Sequence, residues 1–349
     1  MGAPEQLGPA SEFVVTSNRG FAAWGHDELR AILPGATFEP LIPGETYLMR
    51  APYPRDVVIR EIADYDPIFV RHLHPADVQI MVSGGVQDME SIADAVMDRF
   101  RFSNGEKIAV QVRKAEGVSL DYSPGDVRLQ AAERIVHAYA AETVAKDADR
   151  IVSIFIGQEK AYLGVSAPAD NLSDWAGGAM RFKKEEGQVS RAKFKLLEAE
   201  RTFGLDFSAC RTALDIGAAP GGWSSLLLER GVQVTAVDPA EMHPDLLRHP
   251  NLTHLRRKAS EVHFPEHAFD LLVCDMSWSP KMMVKSLVPL LAALRPGGDA
   301  VITLKLMHAK PFRTLKETVR AMDPPMRLLR AKQLFHNRDE MTMLLKKND

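Results

Sequence analysis

The second half of the chain is predicted to be an α/β fold built on a seven-stranded, mostly parallel sheet, and three observations predict it. From about residue 187, short β-rich runs alternate with helical stretches, the pattern of parallel strands covered by helices on both faces. A glycine-rich segment, Asp215 to Trp223, joins the first of these runs to a helix. Asp238 ends the next run, twenty-one residues after Gly217.

Composition bounds what such a chain can be. Its 349 residues suffice for two or three domains, and 46% hydrophobic with 26% charged residues is the balance of a folded globular protein. No apolar run reaches the roughly 18–20 residues of a membrane span, and the amino terminus lacks a basic-then-apolar secretion pattern, so a cytoplasmic location is expected. Two cysteines, Cys210 and Cys274, are too few for a disulfide scaffold or a CxxC-type zinc site, and no metal is expected. Placed at opposite ends of neighbouring strands, about 15 Å apart, they should be buried free thiols. The net charge of −3 argues against coating nucleic acid by charge alone, yet residues 302–349 carry eleven Lys and Arg against five Asp and Glu.

Residues 1–12 read as a loose tail. Phe13–Thr16 starts a small α+β unit, 13–75, in which no chemistry is legible. A second unit, 76–170, contains a helix at Asp88–Arg101, a strand at Lys107–Val112, a helix at Val127–Val144 and strands at Arg150–Ile156 and Ala161–Val165. Pro168 and the polar run after it open a linker, 171–186. In the last domain, 187–349, strands are predicted at Thr212–Ile216, Gln233–Val237, Leu252–Leu255, Asp270–Cys274, Ala300–Leu304, Leu328–Leu334 and Met341–Leu345. The last two are separated by a short polar turn and should pair antiparallel.

The loop Asp215-Ile216-Gly217-Ala218-Ala219-Pro220-Gly221-Gly222-Trp223 must turn sharply and offer its backbone to a ligand, which glycine permits. A dinucleotide loop would place glycine at 217, 219 and 222, but 219 is alanine and 220 proline, which weakens a pyrophosphate reading. Asp238 is placed to accept the hydroxyls of an adenosine ribose. S-adenosylmethionine, which has no pyrophosphate, fits this loop better than NAD.

These pieces resemble a known family. Asp215–Ser224, together with Ser190-Arg191-Ala192-Lys193-Phe194-Lys195-Leu196, Cys274-Asp275-Met276, the strand-end Lys305 and Asp339-Glu340-Met341-Thr342, looks like the FtsJ-type ribose 2′-O-methyltransferases. Thr303–Leu306 and Gln333–Glu340 are similar to the RlmM family, the large-subunit ribosomal RNA methyltransferases M. The resemblance implies a Rossmann-like methyltransferase domain preceded by ferredoxin-like and THUMP-like RNA-binding domains, methylating a cytidine ribose of large-subunit ribosomal RNA. It also implies a Lys-Asp-Lys-Glu catalytic set, carried onto Lys195, Asp275, Lys305 and Glu340. A transfer-RNA ribose methyltransferase and a non-catalytic, cofactor-holding RNA-binding protein are the alternatives.

The chemistry requires such residues. A ribose hydroxyl must lose its proton as it attacks a sulfonium methyl, and a lysine whose charge is disfavoured by burial or by a second ammonium can take it. Lys305 is assigned as base or oxyanion stabiliser, Lys195 as its electrostatic partner, Asp275 as orienter and Glu340 as the acceptor that fixes a lysine or the ribose. The cofactor is expected on Asp215, Gly217, Ala218, Ala219, Pro220, Gly221, Gly222, Trp223, Asp238 and Asp275. Lys193 is the rival of Lys195, Glu261 is a candidate for the adenine contact, and Trp278 could cover cofactor or stack a base. His308 and His336 flank the site as structural or RNA-facing residues. Arg181, Lys183, Lys184, Arg191, Lys193 and Lys195, with Lys310, Arg313 and Lys316, suit phosphate contacts.

Overall fold

The computed structural model describes residues 9–183, 189–306 and 310–349, in two compact units that divide at Ala179/Met180. The first unit begins with β1 (Ser11–Thr16), α1 (Ala22–Ile32), β2 (Thr37–Ile42), β3 (Thr46–Ala51), α2 (Arg55–Tyr65) and β4 (His72–Pro75). Its four strands pair antiparallel in the order β2-β3-β1-β4, a split β–α–β arrangement. Leu29, Val58 and Ile62 of the helices and Phe13, Val15 and Met49 of the strands form the core between the layers.

A second sheet in the same unit comprises β5 (Val78–Met81), β6 (Lys107–Lys114), β7 (Glu142–Thr143), β8 (Arg150–Ile156) and β9 (Lys160–Ser166), with α3 (Gln87–Arg99) and α4 (Pro124–Tyr139) on it. Ser123 caps α4 reciprocally with Asp126, and Pro124 opens its first turn. This helix ends five residues before the expected Val144: Ala140 turns left-handed, at φ 52°, and the chain enters β7 instead. One apolar cluster, including Val14, Leu48, Ala76 and Phe155, is shared by the two sheets. The start of the expected linker is tied down within this unit, because Arg71 Nε donates to the Gly177 carbonyl at 2.8 Å and the Gln111 amide to that of Asp174 at 2.6 Å.

In the second unit, α5 (Lys193–Phe203) leads into β10 (Thr212–Ile216), α6 (Gly222–Glu229), β11 (Gln233–Val237), α7 (Pro244–Leu247), β12 (Leu252–Leu255) and β13 (Phe269–Cys274). The chain continues through α8 (Pro280–Leu287), β14 (Leu294–Lys305), α9 (Pro311–Met322), β15 (Met326–Lys332) and β16 (Glu340–Lys347). The seven strands order as β12-β11-β10-β13-β14-β16-β15. All pairs are parallel except those made by β16, which inserts antiparallel between β14 and β15. The central strands are continuous buried runs, as strands covered on both faces must be: Ala213, Leu214 and Ile216 are fully buried, as are Leu272 and Val273. Strand order reverses between β10 and β13, so the carboxyl ends of these strands open a crevice, the place where open α/β sheets bind ligands. Both cysteines are free; Cys274 is buried as expected, but Cys210, just ahead of β10, is only half-buried.

Candidate active site

A cavity of about 280 Å³ lies at that crevice, close to the lower size limit of small-molecule sites. Gly217, Ala219, Asp238, Lys258, Asp275 and Trp278 are among its walls. Gly217 has φ +76°, and a Cβ there would stand 2.6 Å from Met276 Cγ, so glycine is required. Asp238 is held by two backbone donors, Ala219 N–H on one carboxylate oxygen at 3.1 Å and Ala240 N–H on the other at 2.8 Å. Each oxygen keeps a lone pair for a hydroxyl of a ligand.

Other residues of the loop shape it from behind. Asp215 is buried beneath it, accepts the Ser224 hydroxyl at 2.6 Å and has its carboxyl pushed up to about 7 by burial. Ala218 packs into the core with Trp223, whose indole N–H donates to the Ala192 carbonyl at 3.0 Å. Pro220 joins Ala219 through a cis peptide bond. A Cβ on Gly221 would meet Leu246 at 2.2 Å, and one on Gly222 would crowd Lys193 N and Ser190 at 3.0 Å. Thus Asp215, Ala218, Pro220, Gly221, Gly222 and Trp223 support the wall, while Gly217, Ala219, Asp238 and Asp275 form it. Glu261 is not in the lining; its carboxylate accepts the Lys258 N–H at 3.0 Å and closes a short turn. Trp278 is 43% exposed on the cavity wall.

The lining carries the carboxylates of Asp238 and Asp275 against the single ammonium of Lys258. That balance suits a cationic adenosine derivative such as S-adenosylmethionine and disfavours a doubly charged pyrophosphate.

Four side chains from four elements converge beside this cavity. Lys195, in the first turn of α5, places Nζ 3.1 and 3.2 Å from the two oxygens of Asp275 and 2.6 Å from Oε1 of Glu340. The other oxygen of Glu340 lies 2.9 Å from Nζ of Lys305. Asp275 follows β13 and Lys305 ends β14, whereas Glu340 begins the antiparallel β16, which brings all three to one sheet edge. Burial alone would push Glu340 up, but Lys195 and Lys305 outweigh it and hold the carboxyl below its usual range. Burial likewise pulls Lys195 down, and Asp275 with Glu340 reverses this and holds the ammonium above its usual range.

Lys193 is removed from this cluster. It is buried and directed to Glu229, at 2.8 Å, so it serves neither the four-residue set nor phosphate contact as the sequence suggested. Arg313 is paired with Glu317 at 2.6 Å, while Arg181, Lys183, Arg191, Lys310 and Lys316 are exposed. Lys184 and His308 lie outside the described residues. His336 is half-buried, and its Nε2 pairs with the Met180 carbonyl at 2.8 Å.

Two supporting roles escaped the sequence reading. Thr303 donates its hydroxyl to Asp275 Oδ1 at 2.9 Å, and its spacing of two from Lys305 on one strand face was the available signal. Buried Glu198 accepts the backbone N–H groups of Phe335 and His336 at 2.8 and 2.9 Å, fixing the turn that delivers Glu340. Among the described residues no group of His, Cys, Asp and Glu could hold a metal ion, and no helix is long and apolar enough to cross a membrane.

Residues 188–321 match the family model of the FtsJ-like methyltransferases. The ribosomal RNA large subunit methyltransferase M of Laribacter hongkongensis is 32% identical over 208 residues, 56% of this chain and 58% of that protein. The protein of the same name from Methylococcus capsulatus is 35% identical over 209 residues, 57% and 58% of the two chains, and that from Marinobacter nauticus is 31% identical over 227 residues, 60% and 61%. The chain therefore spans 58–61% of the length of these curated relatives.

Proposed function

We propose that this chain, whose residues 188–321 form an FtsJ-like methyltransferase domain, transfers a methyl group from S-adenosylmethionine to a ribose 2′-hydroxyl of large-subunit ribosomal RNA. The observation that carries this reading is the single carboxylate of Glu340 bridging two ammoniums, Lys195 and Lys305, beside a cavity whose walls include Asp238 and Asp275. S-adenosylmethionine, when bound, supplies an electrophilic methyl on a cationic sulfur.

The chain's own residues supply position and proton handling. Asp238 would receive ribose hydroxyls of the cofactor, and Asp275, steadied by Thr303 and Lys195, would serve its cationic end. Lys195 contacts two carboxylates and is held above its usual range, so it keeps its proton and serves as a fixed positive charge. Lys305 contacts one carboxylate and is the more exposed of the two lysines, 29% against 20%. Lys305 Nζ, once its ammonium has released a proton to solvent, is accordingly the acceptor of the 2′-hydroxyl proton, and Glu340 holds both lysine nitrogens in line. The two sheets of the first unit are assigned as ferredoxin-like and THUMP-like RNA-binding domains, and the modified nucleotide as a cytidine.

The test is to incubate the protein with an unmodified large-subunit ribosomal RNA transcript, a transfer-RNA pool and methyl-labelled S-adenosylmethionine, and then to map 2′-O-methyl groups. Label at one ribose of the ribosomal transcript supports the proposal. Label only on transfer RNA, or on no RNA, rejects it.

A further inference from the structure

Three aromatic rings far apart in sequence meet next to the four charged residues. Phe182, Phe194 and His336 lie pairwise 5.4–5.6 Å apart between ring centroids, with interplanar angles of 22–38°. The Phe182–His336 pair is stacked and both pairs with Phe194 are tilted, at separations typical of interacting aromatic rings. None of the three is fully buried. They lie near Lys195: Phe194 precedes it in the first turn of α5, and His336 is close enough to feel the charge of its ammonium.

The group is held in place from its polar side. His336 Nε2 pairs with the Met180 carbonyl at 2.8 Å, and its backbone N–H is gripped by Glu198 at 2.9 Å. Burial first, and then Lys195, keep the imidazole below its usual range, so it remains a neutral flat ring near neutral pH. Arg201 stands 5.0 Å over Phe182 and backs the group with a cation. Among described residues within three positions of a ring, the exposed charges are Arg181, Lys183, Arg191 and Arg338 against Asp339. Cations around stacked, partly exposed rings are the composition of a surface that tracks a polyanion and stacks its bases.

We infer that Phe182, Phe194 and His336 form a stacking seat for a nucleobase of the RNA strand whose ribose is presented to Lys195 and Lys305. This rests on the RNA methyltransferase reading above and adds to it a specific surface for the substrate strand. Stacking tolerates any base, so the seat fixes the position of the strand and leaves sequence selection to other contacts.

The experiment uses the full chain, an unmodified large-subunit ribosomal RNA transcript and methyl-labelled S-adenosylmethionine, comparing Phe182→Leu with Phe182→Tyr. Leucine keeps apolar volume but has no π-face, whereas tyrosine restores the ring. The expected result is a KM for RNA raised about tenfold or more in F182L, the worth of one base–aromatic stack, with kcat and cofactor affinity unchanged and with wild-type KM in F182Y. If F182L does not fold, Phe194→Leu against Phe194→Tyr reads the same property. An active wild type whose leucine variant keeps its KM, or whose tyrosine variant is as impaired as leucine, overturns the seat alone. A wild type that labels no RNA overturns the functional reading and the seat with it.

Discussion

Glu340 Oε2 lies 2.9 Å from Lys305 Nζ, and the two residues are register partners where β16 pairs antiparallel with β14. The partnership is built into the sheet: a strand that ran parallel would carry its first residue to the opposite edge. Because the carboxylate side chain is only 3% exposed, its charge is tolerated by virtue of the two ammoniums that share it.

Glu340→Gln should therefore reduce methyl transfer by about 10²–10³-fold, since an amide cannot hold two ammoniums in line. It should also destabilise the domain by about 3 kcal/mol, the lower end for breaking a buried pair, because both lysines retain some solvent. Glu340 is not in the cavity wall, so calorimetric affinity for S-adenosylmethionine should survive. A variant with near-normal turnover would remove Glu340 from the mechanism.

Lys305→Ala should abolish labelled methyl incorporation while leaving cofactor binding intact, because Lys305 contacts Glu340 and lies outside the cavity lining. Retained turnover would disprove its role as proton acceptor.

The two lysines of α5 offer an internal control. Lys195→Ala should abolish transfer, whereas Lys193→Ala should leave kcat unchanged, because Lys193 is spent on Glu229. Glu229 is 46% exposed and can return to water, so losing this pair should cost only about 1 kcal/mol in chemical denaturation. Equal losses of activity in the two variants would contradict the assignment.

The acid limb of stability should report Glu340. Its carboxyl is held below the usual range in the folded state, so its contribution is complete above the unfolded value of about 4.3 and disappears as pH falls through the folded value. The melting-temperature gap between wild type and Glu340→Gln should therefore be full above about pH 4.3 and narrow as pH falls further. A gap that does not narrow at all on acidification below that value would show that the glutamine acts through packing and not through charge.

Much of this architecture was legible because buried parallel strands are contiguous aliphatic runs, and the seven runs of the second unit coincide with β10 to β16 to within two residues at each end, except that β14 begins six residues earlier than expected, at Leu294. The ends were less readable. Ala140 terminates α4 in a left-handed turn without a glycine or asparagine to signal it, and the two-residue β7 carries no periodicity at all. Lys195, Asp275, Lys305 and Glu340 could be named because the family resemblance implied them, and the structure places each at a strand end or helix start. The Lys193–Glu229 pair and the Phe182–Phe194–His336 group could not, since partners that far apart in sequence leave no local pattern. Thr303 shows the intermediate case: it stood in the Thr303–Leu306 segment of the family resemblance, but only the geometry of Asp275 gave it a task.

Two histidines of the first unit should dominate stability at mildly acidic pH. His72 and His74 of β4 are almost fully buried, with ring centroids 5.9 Å apart, and His74 Nδ1 pairs with the Pro75 carbonyl at 2.9 Å. Burial lowers both; the cations of Arg113 and Arg71 lower His72 further, as does His74 itself, and Arg113 also lowers His74, to about 4. A histidine that stays neutral when folded stabilises above its unfolded value of about 6.5, and that stabilisation is lost as pH falls from there through the folded value. For His74 the interval from 6.5 to about 4, at 1.36 kcal/mol per pH unit, amounts to about 3 kcal/mol. His74→Gln cannot take up a proton and keeps an amide donor for the Pro75 carbonyl. It should lose markedly less melting temperature than wild type between pH 7 and pH 4.5, with His72 accounting for the part that remains. If the two proteins lost the same number of degrees, protonation of His74 would not be coupled to unfolding, and the acid sensitivity of this unit would have to reside elsewhere.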